Sequence, residues 1–193
     1  MAEAATQQTP TEALIATLDL PQGGWSDAAR KDALSRLQQA GLPERRDEYW
    51  KYTRPDTLTQ PQAVSAAVRA SEDVALFDQI DRLKLVFVDG VFDADASDDL
   101  ALEGITIERL AQADADLHWA RDLYGTLEKN GQTPVARPLA ALNTAFAADG
   151  VLIHVTDKVS KPVNIVYRRT SETADVMLHH VVKLDARPEF TLL

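Results

Sequence analysis

Apolar residues in the first forty positions recur three and four apart, the period of a helix with one buried face. Leu14, Ile15 and Leu18 form one such stripe. It is opened by Thr9-Pro10-Thr11-Glu12, with Thr9 as cap, Pro10 at the first helical position and Glu12 completing a capping box. Pro21 ends it. Ala33, Leu34 and Leu37 mark a second helix, expected to start at Ser26 and to stop at Gly41. Pro43 restarts helical structure as far as Pro55, and residues 61–80 read as short helix or loop.

At Leu83 the period changes. Leu83–Val88 is rich in strand formers, Asp89-Gly90 followed by Val91-Phe92 is a hairpin signal, and Ile105-Thr106-Ile107 is a short strand. Residues 108–130 return to a helical pattern through Leu110, Leu117, Leu123 and Leu127. A further helix is expected from Arg137-Pro138 to Gly150, with Leu139, Leu142 and Phe146 on one face and Ala145 beside them. Beyond Gly150 come four strand-like runs, 151–155, 163–168, 176–184 and 190–193, whose starts are 12, 13 and 14 residues apart. No helix-length segment separates them, which fits hairpins of a sandwich or successive coils of a β-solenoid. The expected organisation is α+β: a helical region over 1–80, a mixed connecting region over 81–150, and a β-rich core beginning at 151–193.

The chain of 193 residues is 45% hydrophobic and 26% charged, values typical of a soluble globular protein. The first eight residues, small and polar, are expected to be mobile. A net charge of −10 argues against nucleic acid as a partner, since phosphate binding needs a basic surface. The absence of cysteine removes disulfides, thiolate nucleophiles and thiolate metal ligands. No run approaches the roughly 20 apolar residues of a membrane helix, and the start lacks the features of a signal peptide. The expected location is the cytoplasm.

The search for chemistry yields no catalytic constellation. His179 and His180 are adjacent on an expected strand and point to opposite faces, so one metal ion would not take both; His154 would join one of them only if the strands stack in register. Asp93, Asp95, Asp98 and Asp99 lack the glycine and glutamate of a calcium loop and read as solvated loop acids. There is no phosphate-binding glycine loop and no nucleophile elbow. The chain is therefore expected not to be an enzyme. Asp175, Asp185 and Glu189 are the acids a β-solenoid carbohydrate-active enzyme would have to use, and a structural protein-interaction module of unknown pathway is a further alternative.

Three of the twelve aromatic residues fall within GLPERRDEYWKYT, residues 41–53. On a helix, Asp47 and Lys51 would pair, and Arg46 would lie on the Trp50 ring. Trp50 then serves as an anchor into its own domain, or Arg46, Trp50 and Tyr52 form a partner contact, since Trp, Tyr and Arg dominate binding hot spots.

This segment resembles the N-terminal signature of the SufD branch of the SufB/SufD family of iron–sulfur cluster assembly proteins. Further blocks resemble the family in the same order: LVFVDGVF at 85–92, ALNTAF at 141–146, DGVLIHV at 149–155 and KPVNIVY at 161–167. The resemblance implies a helical N-terminal domain followed by the first coils of a right-handed parallel β-helix, here the N-terminal half of a longer chain. It implies a non-catalytic scaffold partnered by a SufB-like paralogue and a SufC-like ABC ATPase, in a complex that handles an iron–sulfur cluster and uses ATP through SufC. No cofactor is expected on this stretch, and no cluster-binding position of the family maps onto it. The apolar ending, Glu189 to Leu193, supports the expectation of a fragment and of self-association through a 189–193 β edge.

Overall fold

A computed structural model of the chain describes residues 8–68, 76–113, 118–186 and 188–193. Each of its two units is built from two separate stretches of sequence, Met1–Val64 with Asp122–Phe146 and Ser65–Arg121 with Ala147–Leu193. The expected mobile start, save Gln8, lies outside the described residues, as do 69–75 of the predicted 61–80 segment.

The first unit is helical. In α1 (Pro10–Ile15) the capping box forms: Glu12 N–H donates to Thr9 Oγ1 at 3.2 Å, and Thr9 N–H donates to Glu12 Oε2 at 2.8 Å. α2 (Asp27–Ala40) ends at Gly41, whose positive φ of 73°, open to glycine, turns the chain out of the helix. Ser26 does not cap it; its hydroxyl accepts from Arg30 Nε at 3.1 Å. After the short α3 (Thr126–Asn130), α4 (Pro138–Phe146) packs on α2, and the small buried Ala33, Ala141 and Ala145 let the two helices approach closely. The buried Arg30 donates from Nη1 to Ala145 O, satisfying a carbonyl that α4 leaves unpaired at its end. Its guanidinium lies 5.2 Å from the Tyr124 ring centre, and Trp25 meets that ring edge-on. Burial pushes the Tyr124 hydroxyl up to about 12, and it donates to Thr144 O at 2.7 Å.

Two predicted helices are corrected here. The segment after Pro43 forms only single 3₁₀ turns, Glu48–Trp50 and Asp56–Leu58. Tyr49, Trp50, Tyr52 and Thr53 are weak helix formers close together, and Pro55 lacks the N–H a helix would need. The predicted helix 108–130 is replaced by the end of a strand, a 3₁₀ turn at Leu110–Gln112, turns, and then α3; residues 114–117 lie outside the described residues. Pairing across the sheet overrides local propensity at Glu108 and Arg109.

The second unit holds two three-stranded sheets, so the fold is α+β. One has the order β2 (Val91–Phe92), β1 (Leu83–Val88), β5 (Val163–Arg168), with β1 antiparallel to β2 and parallel to β5 from Leu83↔Val163 to Val88↔Arg168. The other has the order β3 (Ile105–Arg109), β4 (Val151–Val155), β6 (Val181–Leu184), antiparallel then parallel. The β1–β2 turn is the predicted one, with Asp89 at φ 49° and Gly90 at φ 84°, both positive as this hairpin type needs. Along β4, Val151, Ile153 and Val155 alternate into a core with Leu83, Leu85, Phe87, Ile105, Ile107 and Val163. The predicted run 176–184 is regular only from Val181, and 190–193 makes a single bridge, Leu192 to Val163.

Candidate functional site

The aromatic segment is held at three points. Pro43 and Pro55 are buried and Trp50 is half-buried, while the intervening side chains turn outward. Tyr49 is 66% exposed, Tyr52 92% and Leu58 55%. Successive turns order the backbone: Asp47 N–H donates to Glu44 O at 3.0 Å, Trp50 N–H to Asp47 O at 2.9 Å and Thr53 N–H to Trp50 O at 3.1 Å. The pairs expected for a helix do not form. The Asp47 carboxylate accepts from Glu44 N–H at 2.8 Å, and Lys51 Nζ lies 5.5 Å from the Tyr52 ring centre. Arg46 is exposed. Of the predicted trio, Trp50 faces partly inward, and Arg46 and Tyr52 face outward.

In the second unit the histidines occupy different places. His154, on β4, stands opposite Lys183 of β6 rather than beside His179 or His180. Its Nε2 lies 3.0 Å from Asp185 Oδ1, and this contact holds the Asp185 carboxyl below its usual range. Trp119 stands 5.2 Å from the His154 ring and 5.3 Å from His118, and it donates from Nε1 to Glu108 Oε2, which also contacts His118 Nε2 at 2.9 Å. His180 is half-buried. Its Nδ1 accepts from Val151 N–H at 2.9 Å and its Nε2 meets Tyr167 Oη at 2.7 Å. Burial lowers its pKa, against the opposing effect of the Asp149 carboxylate.

A polar linkage of this unit centred on Asp149 was not foreseen from the sequence. Asp149 is 5% exposed and accepts from Arg109 Nε at 3.0 Å, from Arg109 Nη2, from Ala111 N–H at 3.1 Å and from Gly150 N–H at 2.8 Å. Arg109 in turn covers the Phe92 ring at 4.6 Å. The partners lie 40 residues apart, and only the β3–β4 register brings them together. Asp149-Gly150 reads locally as a turn, so nothing in its neighbourhood signals an ion pair.

Of the four loop acids, Asp93, Asp98 and Asp99 accept from backbone amides, while Asp95 is exposed as expected. Asp98 accepts from Lys84 N–H at 2.6 Å and Ser97 Oγ from Val86 N–H at 2.9 Å, covering the part of β1 that the short β2 leaves open. Asp93 and Asp99 accept from Ala96 and Ala101 N–H. Asp185 is taken by His154, and Glu189 pairs with Lys158 at 2.9 Å. Asp175 makes neither contact, so the three acids share no site. Among the described residues, no group of three or more His, Asp or Glu is arranged to hold a metal ion, and no helix is long and apolar enough to cross a membrane. The arrangement offers ordered contact surfaces and satisfied polar linkages.

Comparison with known proteins adds an independent observation. Residues 22–165 match the family model described as the SufBD protein N-terminal region. The iron–sulfur cluster assembly protein SufD of Escherichia coli (strain K12) is 32% identical over 181 aligned residues, covering 82% of this chain. The chain spans 40% of that relative's length.

Proposed function

The chain belongs to the SufBD family, and from that premise we propose that it serves as a SufD-type, non-catalytic scaffold subunit of an iron–sulfur cluster assembly complex. The observation that carries the reading is the family match over 22–165, which takes in parts of both units rather than one motif. In this reading the partners are a SufB-like paralogue and a SufC-like ABC ATPase in the cytoplasm. ATP hydrolysis by the ATPase drives rearrangement in the complex, and the cluster is cargo. This chain has no cysteine and so supplies no thiolate to that cargo.

Residues 151–193 are, in the same reading, the opening of a right-handed parallel β-helix. Three parallel pairings support this: Asp149 with Leu178, Leu152 with Val181 and Val163 with Leu192, each joining residues 29 apart. They involve strands of both sheets. A constant advance on two faces is what one coil of a solenoid produces when it stacks on the next. β1 and β3 then border the first coil on its other side as a terminal cap.

The turn segment carrying Arg46, Trp50 and Tyr52 is an accessory contact surface for a partner subunit of this complex. Its support is the exposure of Tyr49 and Tyr52 on a backbone already pinned at Pro43 and Pro55, which limits the ordering cost of binding.

The test is recovery of the full-length protein from its own cells under native conditions, followed by mass spectrometry. A β-rich paralogue and an ABC-type ATPase in comparable amounts are expected. Repeated recovery of the protein alone would overturn the scaffold reading.

A further inference from the structure

His180 lies one residue before β6, yet its side chain does the work of a backbone group for β4. The first N–H of that strand, at Val151, donates to His180 Nδ1 at 2.9 Å. An imidazole nitrogen that accepts from an amide carries no proton, so the ring's hydrogen is on Nε2. Nε2 faces Tyr167 Oη at 2.7 Å, and the phenol oxygen accepts. Tyr167 stands in register beside Phe87 on β1, their rings 6.1 Å apart and near parallel, and Phe87 presents its ring at 70° to the imidazole at 6.0 Å. One imidazole therefore touches β4 of one sheet and β1 and β5 of the other.

We propose that His180 is a pH-sensitive clasp between the two sheets, closed when the ring is neutral and opened when it takes a second proton. That proton can go only to Nδ1. There it would point at the Val151 N–H, two donors face to face where one bond had been. The amide cannot change its role, so the ring turns away, Val151 loses its acceptor, and the link to Tyr167 is broken with it.

The groups around the ring favour the closed state near neutrality. Tyr167 on β5 is itself held neutral by partial burial. Asp149, just before β4, favours a charged imidazole, but its carboxylate already accepts from Arg109 of β3 and from two backbone amides, and the Arg109 charge opposes it. β1 contributes the uncharged Phe87. Burial of the ring opposes protonation in the same direction. Opening loosens the β4–β6 pairing at the end where Gly150 backs onto His179, and so loosens the sheet edge that β6 presents. The inference rests on the geometry of the second unit and is independent of the partner assignment.

The test uses the full chain, labelled with ¹⁵N. Histidine nitrogen shifts at about pH 7.5 should report His180 as the tautomer protonated on Nε2, titrating below the ordinary 6.5. The amide-exchange protection factor of Val151 should fall about tenfold on passing to about pH 5.5, while that of Ile153 changes little. His180→Gln supplies an acceptor for Val151 and a donor for Tyr167 without titrating, and should abolish the fall. A proton on Nδ1 at neutral pH, a His180 pKa at or above 6.5, or unchanged Val151 protection would each overturn the proposal. Should the variant not fold, the two measurements on the natural chain decide alone.

Discussion

The Arg109 guanidinium and the Asp149 carboxylate, 3.0 Å apart at Nε and Oδ2, tie the end of β3 to the residue that leads into β4. Asp149 also takes two backbone N–H groups, so its removal strands three sets of donors together. Breaking a buried pair from one side leaves the other charge uncompensated. Arg109 keeps some access to water, its side chain being 19% exposed, which softens the penalty. Asp149→Ala is expected to cost about 3 kcal/mol in urea unfolding, with Asp149→Asn less damaging because it still accepts. A loss under about 1 kcal/mol would mean that the linkage is not structural.

Gly150 gives a sharper steric expectation. A Cβ there would lie 2.0 Å from His179 O, a backbone atom that cannot swing aside. Gly150→Ala should therefore push the start of β6 away and cost several kcal/mol, on the order of 3 or more. Gly23 has a φ of 82° but nothing within 4 Å of its would-be Cβ. Its change to Ala carries only backbone strain, about 1 kcal/mol. Equal melting temperatures for the two variants would contradict the close approach.

The sequence is legible where the signal is local. The strand formers of Val151–Val155 and the Asp89-Gly90 turn are local signals, and they appear as strand and hairpin. Residues 108–130 mislead because Glu108 and Arg109 look helical until β4, more than forty residues away in sequence, supplies a pairing edge. The turn after Pro43 misleads for the opposite reason. Its charges suggest four-residue pairs, but Asp47 spends its carboxylate on the Glu44 amide. The Arg109–Asp149 and Tyr167–His180 contacts depend on register alone, and no neighbouring residue announces either.

Acid stability should carry the mark of Asp89. Its carboxylate accepts from Thr170 and Ser171, and these bonds hold its pKa below the usual 3.8. A depressed carboxyl adds stability above the unfolded value, and that contribution disappears as pH falls through the folded one. His180 acts at higher pH with the same sign: its lowered pKa makes stability fall as pH drops below 6.5. Asp89→Asn keeps a residue tolerant of positive φ and removes the titration. Its melting temperature should vary less than that of the natural chain below about pH 4, with the fall near pH 6 retained. Loss of the pH 6 feature instead would assign it to the wrong group.

Trp50 and Tyr52 should separate packing from contact. Trp50 is half-buried, so Trp50→Ala is expected to lower the melting temperature. Tyr52, 92% exposed, should tolerate Ala within about 0.5 kcal/mol. In the native pull-down, Tyr49→Ala and Tyr52→Ala together should reduce recovery of partner subunits while leaving circular dichroism unchanged. Undiminished recovery would remove the turn from the contact surface.

The edge at Leu192 yields the last expectation. Val163 N–H donates to Thr191 O, and Leu193 N–H donates to Val163 O, so Thr191 O and Leu193 N–H point inward. In a parallel bridge of this kind the amide and carbonyl of Leu192 point the other way. Among the described residues no strand pairs with that side, nor with the outer side of β6, where Val182 and Leu184 are partly exposed. Such an edge is a template for another strand, and the 193-residue chain should self-associate through it. Sedimentation should show a weight-average mass that rises with concentration. Leu192→Pro removes the outward N–H without touching the inward bonds at Thr191 and Leu193, and Thr191 before it stays extended, as a residue preceding proline prefers. The variant should remain folded and shift toward monomer. A natural chain that is monomeric at high concentration would show that the edge is already protected.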